Sequence, residues 1–113
     1  MTQFFFSPAD FSDPIEPAPG MQLRVLARGS LMFSLVELAA DAESPVHAHV
    51  EEQMGIVLSG YFKRWQGGQE KLLREGDVFY VPPNVEHGGR AVSGPCRILD
   101  VFTPPRGKYL GDG

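Results

Sequence analysis

The three histidines of the chain are spaced as metal ligands. His47 and His49 are two positions apart, Gln53 follows four positions after His49, and His87 lies in a later segment. Successive side chains of a strand point to opposite faces, so residues two apart share a face. His47 and His49 can therefore direct both imidazoles to one point. His87 from another strand and the amide oxygen of Gln53 would complete a pocket for a divalent transition metal.

The choice of the fourth ligand decides the charge of this site. Gln53 would bind through its amide oxygen and bring no charge, which leaves the full charge of the ion available to substrate oxyanions. Gln53 could instead only hydrogen-bond near the histidines. Glu51 shares the strand parity of the histidines and stays a minor alternative ligand, whereas Glu52 has the opposite parity.

Composition indicates one small all-β domain. The chain has 113 residues, 42% of them hydrophobic, with 13 glycines and 10 prolines that favour many turns. With a net charge of -4, nothing in the composition suggests an electrostatic nucleic-acid binder. The single cysteine, Cys96, excludes an internal disulfide and is expected to be a buried thiol. No membrane span or signal peptide is recognisable, so we expect a cytoplasmic protein.

Strand patterns begin after an aromatic, proline-containing arm. We expect residues 1–20 to form an arm that packs on the barrel or across a dimer interface, and residues 21–113 to form a single barrel. Ser59-Gly60 and Gly67-Gly68 predict tight turns. Alternation and apolar runs predict strands at Gln22–Arg28, Met32–Leu38, Val46–Val50, Met54–Leu58, Tyr61–Trp65, Lys71–Arg74, Val78–Val81 and Arg97–Phe102.

The last predicted strand carries an ionisable residue among apolar neighbours. Ile98, Asp100 and Phe102 share one face by alternation, so Asp100 needs either a partner or a function. Burial there would raise its pKa towards the range of a general acid or base. Arg106 follows two prolines and could bind a carboxylate in bidentate geometry or lie on the surface. Phe102 could stack on a sugar ring or simply fill the core.

Two segments resemble the two motifs of the cupin superfamily. The first is His47-x-His49-x3-Gln53-x6-Gly60, and the second is Gly76-x5-Pro82-x-Asn84-x2-His87. The chain departs from the usual motifs in having Gln53 for Glu, Asp41 and Asn84 for Gly, and Ala91 for Asn. Asparagine tolerates left-handed dihedrals best after glycine. The resemblance implies a cupin jelly roll, which is a double-stranded β-helix barrel.

The segment from Asp100 to Tyr109, together with Gln53, resembles the small single-domain cupins of the KdgF type. That resemblance implies a metal held by His47, His49, Gln53 and His87, with Asp100, Phe102 and Arg106 in the same pocket. It implies conversion of 4,5-unsaturated monouronates, the products of pectate and alginate lyases, to the linear 5-keto-4-deoxyuronate. Arg106 would bind the uronate carboxylate and Asp100 would transfer a proton.

Two other functions stay open at this point. A three-histidine iron site could support a cupin dioxygenase, and a cupin could also bind a sugar or metabolite without catalysis. The metal could be Ni, Zn, Fe, Mn or Co, because affinity order does not separate them. We expect a small-molecule partner, most simply a sugar acid, and a homodimer formed through sheet edges.

Overall fold

Antiparallel strands make up most of the chain. The computed structural model describes residues 2–111, and within them it contains eight strands and two short 3-10 helices. The strands are β1 (Ile15–Ala18), β2 (Met21–Arg28), β3 (Leu31–Leu38), β4 (Glu43–His47), β5 (Glu52–Gln66), β6 (Gln69–Arg74), β7 (Val78–Val81) and β8 (His87–Thr103). The 3-10 helices are η1 (Pro8–Asp10) and η2 (Gly107–Leu110).

The two long strands, β5 and β8, connect two layers of sheet. They pair with each other along nearly their whole length. The first half of β8 also pairs with β4 and its second half with β3, while β5 pairs with β7 and then with β6. One layer is therefore β1-β2-β3-β8-β5-β7 and the other is β4-β8-β5-β6. The predicted all-β jelly roll is confirmed.

The turn predicted at Ser59-Gly60 is wrong. The chain continues through these residues within β5, and the register with β8 shifts on both sides of Ser59. Gly60 has φ of 83°, and a Cβ atom there would lie 2.4 Å from the carbonyl oxygen of Pro95. A glycine that permits a turn equally permits a bulge that bends a strand between two layers. The Gly67-Gly68 turn is confirmed by the pairing of Gln66 with Gln69.

The last strand is much longer than the predicted segment Arg97–Phe102. It begins at His87 and runs through glycine-rich sequence that has low strand propensity. Gly89 allows this close packing, because a Cβ atom there would lie 2.3 Å from the ring of Phe62. Tertiary contact with the aromatic core therefore overrides the local preference.

Both positions where the motif glycine is replaced adopt left-handed backbone. Asn84 has φ of 65° and Asp41 has φ of 64°. The expectation that Asn84 occupies such a conformation is confirmed. Its N–H also donates to the carbonyl oxygen of His49 at 2.7 Å, which ties the β7-β8 connection to a candidate metal ligand.

The N-terminal segment contacts β2. β1 pairs with β2, and the N–H of Ser12 donates to the carbonyl of Val25 at 2.8 Å. The Arg28 guanidinium lies 4.5 Å from the centre of the Phe6 ring, whereas Phe4 and Phe5 are exposed.

Cys96 is buried, and burial raises the pKa of its thiol to about 11, as expected of an inert thiol. None of the helices formed by residues 2–111 is long and apolar enough to cross a membrane.

Replacing Gly60 with alanine is expected to reduce the free energy of unfolding by about 2–4 kcal/mol, through left-handed backbone strain and the backbone clash. Gly68 is the matched control, because it has φ of 80° but no neighbouring atom within 4 Å. Gly68→Ala should cost only about 1–2 kcal/mol. Urea unfolding of both variants measures the difference, and equal losses would contradict the close packing at Gly60.

Candidate metal centre

The three histidines converge inside the jelly roll. One ring nitrogen of each histidine lies within 4.8 Å of those of the other two. The ring centres of His47 and His87 are 4.3 Å apart, and those of His49 and His87 are 4.8 Å apart. His47 and His87 are also backbone partners across β4 and β8. The spacing therefore suits three imidazoles around one small cation.

The prediction that strand alternation directs His47 and His49 to one point is only partly right. β4 ends at His47, so His49 lies in the following loop and not on the strand Val46–Val50 that the sequence predicts. His49 is held by the hydrogen bond from the Asn84 N–H and by contact of its Nδ1 with the carbonyl of Glu51 at 2.9 Å. Loop hydrogen bonds thus replace strand alternation in orienting this ring.

The tautomer of all three rings is set by the backbone. Nδ1 lies 2.7 Å from the Pro45 carbonyl in His47, and 2.8 Å from the Val85 carbonyl in His87; the Glu51 carbonyl plays this part for His49. A carbonyl only accepts, so each Nδ1 carries the hydrogen and each Nε2 keeps a lone pair. Within residues 2–111, the buried Nε2 of His87 has no hydrogen-bond partner. These features fit metal ligands with an outer shell of backbone carbonyls.

Burial keeps these imidazoles neutral. Desolvation lowers the pKa of His87 to about 3, and it is also the main cause that lowers the pKa of His47 and His49. The Arg106 guanidinium lowers the pKa of both His47 and His49 further. Neutral imidazole is the form that binds metal, so no proton has to leave at neutral pH.

Gln53 is oriented towards the same centre. Its side chain is buried on β5, and its Oε1 lies 3.0 Å from Nε2 of His49. Because Nδ1 of His49 carries the hydrogen, Nε2 and Oε1 are both acceptors, and a cation beside them would relieve their repulsion. The amide also acts on the Asp100 carboxyl as a hydrogen-bond donor. That interaction turns the amide oxygen towards the histidines.

The alternative carboxylate ligands, Glu51 and Glu52, lie away from the Nε2 atoms of the histidines. Glu51 Oε1 is 3.6 Å from Nδ1 of His49, on the side of the ring opposite Nε2, and 3.7 Å from Nε of Arg106. Glu52 accepts a hydrogen bond from the hydroxyl of Tyr80 on the protein exterior. Glu51 thus belongs to the outer shell of His49 in this arrangement.

The predicted face of β8 lines the cavity beside the histidines. Ile98, Asp100 and Phe102 are all buried. Burial raises the pKa of Asp100 to about 6, although the Gln53 amide and the Arg64 and Arg106 guanidinium groups oppose part of this rise. In the described part of the chain, Oδ1 of Asp100 has no hydrogen-bond partner. A buried carboxyl with a free oxygen and such a pKa can exchange a proton near neutral pH.

Arg106 is buried and not on the surface. It is 7% exposed, and its Nη1 donates to the hydroxyl of Tyr109 at 2.9 Å. The Phe102 ring packs at 5.6 Å between centres against His49 and at 6.2 Å against Tyr109. Tyr109 was missed by the sequence reasoning. It lies in η2, within the segment that resembles the KdgF-type cupins, but no spacing or alternation pointed to a role for it.

Arg64 is a second buried arginine that the sequence reasoning missed. It lies on β5 and is 7% exposed, and desolvation lowers its pKa to about 10. It lines the same cavity as His47, His87 and Asp100. The signal was available, because Arg64 shares strand parity with the core residue Phe62.

Comparison with known proteins agrees with this architecture. A family model described as a cupin domain matches residues 34–102. The chain belongs to the cupin domain family. The structure of KdgF from Halomonas sp. is similar to this cupin with a TM-score of 0.86 and 30% identity, over 96% of this chain and 100% of that chain.

Two further relatives are similar over most of their length. The pectin degradation protein KdgF of Dickeya dadantii (strain 3937) is 28% identical over 81 residues, which are 71% of this chain and 74% of that protein. An RmlC-like cupin from Shewanella frigidimarina NCIMB 400 has a TM-score of 0.84 and 28% identity, over 96% of both chains. The protein is thus a small cupin that resembles KdgF, as its motifs predicted.

Metal affinity is expected to change little between pH 7.5 and 6.0. Three histidines with the ordinary pKa of about 6.5 would lose about 50-fold in apparent affinity over this range through proton competition. The lowered pKa of each histidine moves that competition to more acidic pH, so we expect a loss below about fivefold. Calorimetric titration with Zn²⁺ measures it. A 50-fold loss would mean that the imidazoles are accessible to water and protonate freely.

Asp100→Asn is expected to stabilise the metal-free protein above pH 6. The pKa of Asp100 is raised from 3.8 to about 6, so the folded state binds its proton more tightly. The free energy of unfolding then falls as pH rises through this window, by about 3 kcal/mol. Urea unfolding should show the variant more stable at pH 8 and equal to the natural protein at pH 4. Destabilisation at both pH values would contradict this.

Proposed function

We propose that this cupin is a metal-dependent enzyme that acts on 4,5-unsaturated monouronates and yields the linear 5-keto-4-deoxyuronate. The observation that carries the proposal is one cavity lined by His47, His87, the buried acid Asp100 and two buried guanidinium groups, with the third imidazole, His49, packed against His87. Similarity to KdgF, a pectin degradation protein in Dickeya dadantii, supports the same class of substrate.

His47, His49, Gln53 and His87 would hold the metal, which could be Ni, Zn, Fe, Mn or Co. A divalent ion bound there supplies Lewis acidity for substrate oxygens. With four neutral ligands, the site keeps its positive charge, which favours an anionic sugar.

Asp100 is the proposed proton-transfer residue. Opening the ring breaks the bond between C1 and the ring oxygen: the C1 hydroxyl loses its proton as the aldehyde forms, C5 becomes a ketone, and C4 of the former double bond gains a proton, so the reaction is a net isomerisation. Asp100 either protonates that carbon or assists a water molecule that opens the ring. With its pKa near 6, the carboxyl carries a proton in part of the molecules and accepts one in the rest, as both roles require.

The remaining groups of the cavity bind and orient the sugar acid. Phe102 offers an aromatic face at the edge of His49, and Arg106 or Arg64 offers a guanidinium group to the uronate carboxylate. Homodimer formation and a cytoplasmic location stay predictions.

The test is the ultraviolet absorbance of 4,5-unsaturated galacturonate with the metal-loaded protein. We expect the absorbance of the conjugated double bond to fall faster than it does spontaneously, and to require metal. His47→Ala should abolish the acceleration, and Asp100→Asn should reduce turnover by about 10²- to 10⁴-fold.

The absence of acceleration with any of the five metals would reject the proposal. Oxygen consumption that depends on iron would then favour the dioxygenase. A ligand bound tightly and recovered unchanged would favour a binding protein. Full turnover by Asp100→Asn would remove only the proton-transfer role.

A further inference from the structure

The two buried arginines of the cavity differ in their partners. Arg106 lies 3.7 Å from a carboxylate oxygen of Glu51 and donates to Tyr109. Arg64 is equally buried, at 7% exposure, yet none of the carboxylates in residues 2–111 lies within ion-pair distance of it. Asp100 interacts with Arg64 from beyond ion-pair distance, so Arg64 has a nearby anion but no direct ion pair, whereas Arg106 has one.

The position of Arg64 is fixed by an aromatic ring. Its guanidinium carbon lies 4.1 Å from the centre of the Phe79 ring. That ring occupies the space over Gly55, where a Cβ atom would lie 2.1 Å from Cζ of Phe79 and 2.5 Å from Oδ1 of Asp100. The glycine therefore leaves room on β5 for both the ring and the Asp100 carboxyl, and the ring supports the arginine through a cation–π contact.

Within the described part of the chain, the hydrogen bonds of the Arg64 guanidinium lie on one edge. Nε and Nη2 both donate to Oε1 of Gln66, at 3.3 and 3.2 Å. Gln66 is itself oriented because its amide nitrogen donates to the carbonyl of Tyr80. Among residues 2–111, no side-chain hydrogen bond involves Nη1, which leaves the edge formed by Nη1 and Nη2 for the two parallel hydrogen bonds that a carboxylate accepts.

We infer that Arg64 is the residue that binds the substrate carboxylate, and that Arg106 instead holds Glu51 and thereby His49 in position. The inference rests on the proposed function only for the kind of acid. It departs from the sequence expectation, which assigned the carboxylate to Arg106. A ligand carboxylate at Arg64 would supply the direct ion pair that this buried cation lacks, next to His47, His87 and Asp100.

The roles of the two arginines can be distinguished by comparing the binding of an acid with the binding of its neutral ester. Saturated galacturonate and its methyl ester are titrated into the zinc-loaded protein by calorimetry. The natural protein should prefer the acid by about 10- to 100-fold, the range of charge-assisted hydrogen bonds. Arg64→Gln should reduce this preference below about threefold with little change for the ester, whereas the matched variant Arg106→Gln should keep it.

Arg64→Lys provides a second test in case the glutamine variant misfolds. A lysine keeps the charge but cannot form the two parallel hydrogen bonds, so the preference should fall at least about threefold. Zinc stoichiometry and thermal unfolding confirm that each variant is folded. An unchanged preference in the Arg64 variants, or no preference in the natural protein, would overturn the assignment.

The binding experiment tests the role of Arg64 independently of the proposed reaction. A preference that disappears in Arg64→Gln, in a protein with no turnover of the unsaturated uronate, would support the anchor and reject the reaction. Turnover by the natural protein with an unchanged preference in Arg64→Gln would reject the anchor alone.

Discussion

The pairing of β5 with β8 is the constraint on which the site depends. Gln53 and Arg64 lie on β5, and His87 and Asp100 lie on β8. Because the two strands pair from Glu52 to Gln66, residues that are far apart in sequence are fixed at ladder positions a few ångströms apart. The bulge at Ser59 and Gly60 bends this ribbon, so its two halves belong to different layers and their inward faces enclose one cavity.

The cavity combines neutral ligands with buried cations. Desolvation holds the histidines neutral, whereas the two arginines remain charged in the same enclosed space. The interior therefore favours an anion even before any metal binds. Asp100 responds in the opposite direction: burial raises its pKa, whereas the Gln53 amide and then the Arg64 and Arg106 guanidinium groups lower the pKa part of the way back. The balance of these opposing effects places the pKa of Asp100 in the range in which a carboxyl can exchange a proton near neutral pH.

The sequence predicted most of what depends on local spacing. Three histidines, a glutamine and a buried aspartate could be recognised because ligands and core faces follow motif offsets and strand parity. The Ser59-Gly60 bulge and the glycine-rich half of β8 could not, since both depend on contacts with Pro95 and Phe62 across the fold. Arg64 was missed because an arginine on a strand is usually exposed, although its parity with the core residue Phe62 indicated an inward position.

As the proposed fourth ligand, Gln53 would allow a metal centre and the acid to coexist. Its amide oxygen faces His49 while the other end acts on Asp100. A glutamate at this position would place a second carboxylate against Asp100, and like charges so close would raise the pKa of one of them. A glutamate would also cancel part of the ion's charge. The amide avoids both effects. Its oxygen is directed towards His49, and its nitrogen is directed towards Asp100. Glutamine in place of the usual motif glutamate is thus the choice that an adjacent buried acid requires.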